Sequence, residues 1–148
     1  MSNKLSSVQK SYLAGFLDGD GSIYVRMKPN STYRFGFQIA PYIVLFQSSK
    51  DRSNFERICS LIDLGYIRQR KDGILEYIIN RREAIQGLLK MIKPHLLLKK
   101  QQAELMLRIL RKKKSVKDKK DFMELAKMIE RFRELNYSKK RKRYTLTP

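Results

Sequence analysis

The chain has no tryptophan, one cysteine and one histidine, and it is poor in acid: 14 Asp plus Glu stand against 33 Lys plus Arg. The single cysteine, Cys59, excludes a disulfide framework. With only His95 beside it, the ligand spacing of a zinc finger or ribbon is excluded as well. Nuclease mechanisms that need a histidine base or several histidine ligands are disfavoured on the same count, so any bound metal should be a hard cation held by oxygen atoms. Cys59 falls on the apolar stripe of an expected helix, where a buried, inert thiol is the simplest reading. No apolar run approaches the ~20 residues of a membrane span. The polar N-terminus leads into an amphipathic segment without a secretory pattern, so neither a membrane role nor secretion is expected.

What remains is a chain of 148 residues, 42% apolar, with a formal net charge of +19. The length suits one domain with a single core. The charge calls for a polyanionic partner, nucleic acid before an anionic membrane surface, rather than a small-molecule substrate. Charge alone leaves an RNA-coating protein as open as a sequence-specific DNA binder.

Hydrophobic periodicity orders the elements. Ser6 with Gln9 is a capping box for a first helix, with Val8, Tyr12 and Phe16, and Leu13 and Leu17, at helical spacing; it should stop at the glycines of Asp18-Gly19-Asp20-Gly21. Alternation from Ser22 to Lys28 predicts a strand, Pro29 to Thr32 a turn, and Tyr33 to Phe46 a second strand burying Phe35, Phe37 and Ile39. Pro41 argues that this strand lies at an edge or carries a bulge. A helix starting near Ser53 buries Phe55, Ile58, Cys59 and Ile62, and strands follow at Tyr66–Arg70 and Leu75–Ile79 around Lys71-Asp72-Gly73. A third helix, capped by Asn80 with Glu83, buries Ile85, Leu88, Leu89 and Ile92 and ends before Pro94; two more helices carry Ala103 to Leu110 and Phe122 to Ile129. The order α-β-β-α-β-β-α plus C-terminal helices implies an α+β fold, one antiparallel sheet covered by helices on one face only. Residues 1–137 are expected to form this domain and 138–148 a basic tail, with five consecutive cations from Lys139 to Arg143.

Alternation places Tyr24, Arg26 and Lys28, then Arg34 and Gln38, then Arg68, Arg70 and Glu76 on the uncovered face, with Asn30 and Thr32 in the turn beside it. Arg and Lys pair with guanine acceptors, Gln with adenine and Glu with the cytosine amino group, so the set is suited to reading base edges. A β-ribbon fits the major groove. The lysine clusters at Lys99-Lys100, Arg111 to Lys114, Lys117 and Lys119-Lys120 would touch phosphates or only water.

The segment Leu13-Ala14-Gly15-Phe16-Leu17-Asp18-Gly19-Asp20-Gly21 carries the sharpest signal. Gly15 and Gly19, four apart, bare one helix face for close approach of another backbone. The segment ends in Asp20, where helix carbonyls lack donors and the dipole is negative; carbonyl plus carboxylate is a hard-cation site. Only one copy is present, so a second would come from an identical chain about a two-fold axis, which implies a roughly palindromic target.

This segment resembles the signature of the LAGLIDADG homing endonucleases, and residues 6 to 136 look like their single-motif, homodimeric branch. The resemblance implies Mg²⁺-dependent hydrolysis of double-stranded DNA, with saddle-shaped sheets reading the target. It implies Asp20 as metal ligand assisted by the Gly19 carbonyl, and Leu13, Ala14, Gly15, Leu17 and Asp18 in the dimer interface. Gln47 matches the family's water-positioning polar residue and Lys99 its basic residue near the scissile phosphate. Where relatives carry an arginine at the start of the second helix this chain has Asp51 between Lys50 and Arg52, and Arg52 is preferred for that role. An RNA-binding intron maturase on the same fold, which would not need Asp20, and a DNA-binding regulator without chemistry stand as the alternatives.

Overall fold

The computed structural model describes residues 5–136, so the domain boundary expected at 137 and the basic stretch Lys139–Arg143 lie outside the described residues. Five helices and one sheet follow the expected order: α1 (Ser7–Asp20), β1 (Gly21–Pro29), β2 (Phe37–Ser48), α2 (Arg52–Ile62), β3 (Tyr66–Gln69), β4 (Ile74–Ile79), α3 (Arg82–Ile92), α4 (Lys100–Ser115) and α5 (Lys119–Leu135), with 3-10 turns at Ser49–Asp51 and Lys93–His95. The sheet is antiparallel with strand order β1-β2-β4-β3.

The capping box forms: Ser6 Oγ accepts from the Gln9 amide at 3.1 Å and Gln9 Oε1 accepts from the Ser6 amide at 3.0 Å. At the other end α1 does not stop at its glycines. It runs through Gly19 and Asp20 and passes directly into β1 at Gly21, whose extended backbone needs no left-handed turn. Gly21 is required for a different reason: a Cβ there would lie 2.9 Å from both Cα and O of Leu17.

The second strand begins later than its sequence suggests, because Asn30 to Gly36 form a loop closed by the Asn30 amide on the Gly36 carbonyl at 2.8 Å, with Gly36 at φ +81°. Tyr33, Arg34 and Phe35 therefore lie in that loop and not on a strand. Phe35 still packs inward, its ring 5.0 Å from that of Phe122. Pro41 sits in a central strand, yet β4 joins β2 only from Ile43 onward, so on that side Pro41 has no ladder to break. Ser53 and Asn80 do not cap. α2 opens at Arg52 after a 3-10 turn capped by Ser48, and α3 opens after Arg81 with no side-chain cap.

One core joins the inward strand residues Ile23, Ile39, Ile43, Leu45, Leu75, Tyr77 and Ile79 to the apolar faces of all five helices. Tyr77 reaches out of it to accept from the amides of Leu64 and Gly65 at 2.9 and 2.8 Å, fixing the α2–β3 connection; burial raises its phenol pKa. Gly65 is dictated by the same packing, since a Cβ would collide with the Ile78 carbonyl.

Candidate nucleic-acid interface and catalytic centre

The two faces of α1 differ in what covers them. Leu13, Ala14 and Leu17 are buried in this chain's own core. Val8, Tyr12, Gly15 and Gly19, spaced to fall on one stripe, are exposed, Val8 at 80%. Val8 and Tyr12, at helical spacing in the sequence, thus fall on the exposed stripe, whereas Leu13, Ala14 and Leu17, expected in a dimer interface, have their side chains buried within this chain. Around Gly15 and Gly19 the space is open: a Cβ at either would meet nothing within 4 Å. Among the described residues nothing requires glycine at these two positions. Leu97 and Leu98, in the segment tied to the end of α1 through Asp18, are also exposed.

Asp18 does not join the exposed stripe. Its carboxylate accepts from the amides of Leu97 and Lys99, both at 2.9 Å, and its carbonyl accepts from Lys99 Nζ at 2.7 Å. The side chain placed in the dimer interface by sequence is spent on tying the segment before α4 to the end of α1. The same bonds carry the Lys99 ammonium to within two residues of Asp20.

Asp20 is exposed and accepts no hydrogen bond among the described residues. Gly19 lies in the last helical turn, where carbonyls lack intrahelical donors. Carboxylate and carbonyl oxygens are the donor chemistry of a hard divalent cation. Among the described residues no three His, Cys, Asp or Glu side chains gather into a metal cluster. The Asp20 carboxylate is thus, among the described residues, the exposed acid at this end of α1 that is left without a hydrogen-bond partner. Gln47 lies near the end of β2, two residues past the last β1 pairing (Gly21 with Leu45), where β2 overruns the start of β1 toward the end of α1. Its Oε1 accepts from the Ser48 amide at 2.8 Å, which leaves the amide NH₂ free to donate.

Arg52 is held elsewhere: it donates to Glu56 at 3.2 Å and to Gln69 at 2.9 Å, bridging α2 to β3. Lys50, exposed and without an ion pair among the described residues, is the less committed cation beside Asp51. The preference for Arg52 is thereby weakened on physical grounds.

The uncovered sheet face carries Ser22, Tyr24, Arg26 and Lys28 of β1 opposite Val44, Tyr42, Ala40 and Gln38 of β2. Tyr24 and Tyr42 stack with centroids 5.1 Å apart, Arg26 lies over the Tyr24 ring at 5.9 Å, and Lys28 Nζ donates to the Tyr42 hydroxyl at 2.9 Å. On the other half, Arg68 and Glu76 face each other across β3 and β4 and form an ion pair at 2.6 Å. Hydrogen bonding from the Arg68 guanidinium to the Glu76 carboxylate raises the Arg68 pKa further. Glu76 is 8% exposed, so it orients Arg68 and is poorly placed to accept from a base itself. Arg70 lies just past β3, paired with Asp72 at 2.6 Å. Asn30 Oδ1 accepts from the Thr32 amide and hydroxyl at 3.0 and 2.6 Å, organising the β1–β2 loop in which Arg34 stacks on Phe35 at 5.0 Å.

Comparison with known proteins fits this geometry. The family model described as LAGLIDADG endonuclease matches residues 13–107. The chain belongs to the LAGLIDADG endonuclease family. It is 34% identical over 143 residues to the DNA endonuclease I-CreI of Chlamydomonas reinhardtii, covering 96% of this chain and 87% of that one. It is 31% identical over 131 residues to the DNA endonuclease I-CvuI of Chlorella vulgaris, covering 88% and 81%. A crystal structure of the homing endonuclease I-CvuI in complex with the I-CreI target superposes with a TM-score of 0.84 at 30% identity, over 91% of this chain and 86% of that one. An archaeal intron-encoded homing endonuclease, I-Vdi141I, shares the fold at a TM-score of 0.80 and 18% identity.

In this LAGLIDADG chain the fold brings Asp20, Gly19 and Lys99 to one end of the motif helix and Tyr24, Arg26, Lys28, Gln38 and Arg68 to the open sheet face. Sequence reasoning missed Tyr42, which the alternation beginning at Gln38 would have found had it been carried past Pro41. It also missed Tyr66, at 51% exposed and on the same side as Arg68.

Proposed function

We propose that two copies of this chain pack through the exposed stripe of α1 and hydrolyse both strands of a long, roughly palindromic DNA duplex laid along their open sheet faces. The observation that carries the reading is the pair Gly15 and Gly19: open space beside both and, among the described residues, no need for glycine at either and no partner for the carboxylate at the helix end. A single chain offers one such carboxylate, and an isologous contact through the stripe doubles it. A divalent cation held there, Mg²⁺ by family resemblance, would supply Lewis-acid stabilisation of charge developing on the phosphate oxygens.

The protein's own groups divide the remaining work. Asp20 and the Gly19 carbonyl hold the ion. Gln47 orients a water molecule through its free NH₂. Lys99, anchored on the Asp18 carbonyl, places positive charge beside the scissile phosphate without competing for Asp20. Tyr24, Arg26, Lys28, Gln38 and Arg68 face base edges, and Asn30, Thr32 and Arg34 extend that surface at the loop.

Selection of cleaved sites from a random duplex library in Mg²⁺ tests the reading, with Asp20→Asn in parallel. Wild type should enrich one partly palindromic site; the variant should bind that site and leave it uncut. Cleavage by Asp20→Asn at the wild-type rate, or RNA binding without any duplex cleavage, would refute it.

A further inference from the structure

The turn between α4 and α5 gathers more unpaired positive charge than either helix needs. Lys112 is neutralised by Glu124 at 2.8 Å and Asp121 at 3.9 Å, whereas Arg111, Lys114, Lys117, Lys119 and Lys120 are exposed and make no ion pair among the described residues. Cations in the last turn of α4 complement its dipole and could serve folding alone. Lys119 and Lys120 occupy the first two positions of α5, where the dipole is positive and cations are unfavourable. Local helix stability therefore does not account for them.

Two interactions fix where this turn sits. Lys113, near the end of α4, donates from Nζ to the Ile39 carbonyl at 3.3 Å, on the part of β2 that β4 does not cover. Burial, then the nearby Arg82, lowers its pKa. Phe122, in the first turn of α5, stacks on Phe35 and Phe37 at 5.0 and 6.2 Å. The turn thus lies against the β1–β2 loop that carries Asn30, Thr32 and Arg34, at the far end of the sheet from Asp20. β1 has nine residues. At ~3.3 Å each that separation is about 30 Å, the rise of roughly nine base pairs.

We infer that the cations of the α4–α5 turn form a distal phosphate clamp that grips the duplex backbone about nine base pairs or more from the centre of the target, outside the segment whose bases are read. The inference rests on the proposed DNA-cleaving reading. Binding there is sequence-independent and releases counterions, so it should appear in salt dependence and leave base preference untouched.

The test replaces Arg111, Lys114, Lys117, Lys119 and Lys120 together by Gln, beside a control carrying Arg57→Gln and Lys90→Gln on exposed positions of α2 and α3. Affinity is measured against salt on a long duplex and on one trimmed to about eight base pairs either side of the centre. On the long duplex the five-fold variant should flatten the log K against log salt slope by about 0.9 for each phosphate it no longer neutralises. Trimming should remove at least that increment from wild type, since the loop carrying Asn30, Thr32 and Arg34 loses its DNA as well. The variant should respond to trimming less than wild type and cut the same site in the same position. An unchanged slope, a flattening per charge equal to the control's, or an effect confined to RNA would overturn the clamp while leaving the cleavage reading intact. A wild type that neither selects nor cuts duplex DNA would sink both.

Discussion

The two faces of α1 share a helix and nearly share a composition, yet they answer to different constraints. Leu13, Ala14 and Leu17 close the core of the chain that carries them. Gly15 and Gly19, interleaved with them, close nothing in it. Apolar or small residues at helical spacing signal a buried face without saying whether the same chain or another does the burying. The exposed glycines and the fully buried leucine beside them separate the two cases, because only the former have room for a side chain that evolution has not placed there.

The comparison can be broken by substitution on each face. The largest effect should come from the outer one: Gly15→Leu or Gly19→Leu, present twice in an isologous contact, should weaken self-association by about 10²–10⁴-fold, from an overpacking cost of ~1–3 kcal/mol per site with two or more sites affected. The melting of the separated chain should hold or rise slightly, since leucine has better helix propensity than glycine. Sedimentation across concentration, with denaturant unfolding at low concentration, checks both halves. On the inner face, Leu17→Ala should destabilise each chain by about 2–5 kcal/mol through cavity formation, visible as a lower denaturant midpoint.

Smaller effects sharpen the boundary between the faces. Asp18→Asn keeps the shape but loses the charge that receives the Leu97 and Lys99 amides, so it should cost about 1–2 kcal/mol. It should slow cleavage more than it weakens DNA binding, because the segment carrying Lys99 is held less firmly against the end of α1 even though the Asp18 carbonyl still accepts from Lys99 Nζ; single-turnover rates and binding isotherms separate the two. Least of all, Cys59 should resist an aromatic disulfide reagent at pH 8 in the folded protein and react at once in denaturant. Burial pushes its thiol up to about 12, so between its ordinary value of 9.0 and that figure the unfolded chain ionises first and stability falls as pH rises.

The fold was legible wherever period and burial agree. β1, α2, α3 and the two C-terminal helices fell where alternation or helical spacing put them, because each buries one face on a common core. Legibility failed where tertiary packing overrides a local signal. Phe35 reads as a strand residue because it is apolar and in phase, but it packs half-buried against Phe122 from a loop. Gly19 reads as a helix stop, but α1 carries on through it to Asp20 and ends at Gly21 in extended backbone. Asp20, Lys99 and the open-face tyrosine and arginines could be found from motif and parity. The Arg68–Glu76 pairing and the capture of Asp18 by Leu97 and Lys99 could not, since they join segments 8 and about 80 residues apart.

The proposed shared catalytic centre is tested most directly by counting chains on DNA. Native mass spectrometry of the protein on its selected duplex, in Ca²⁺ to prevent turnover, should give two chains per duplex. A one-to-one complex that becomes cleavage-competent when Mg²⁺ is added would contradict a site built from two copies of Asp20.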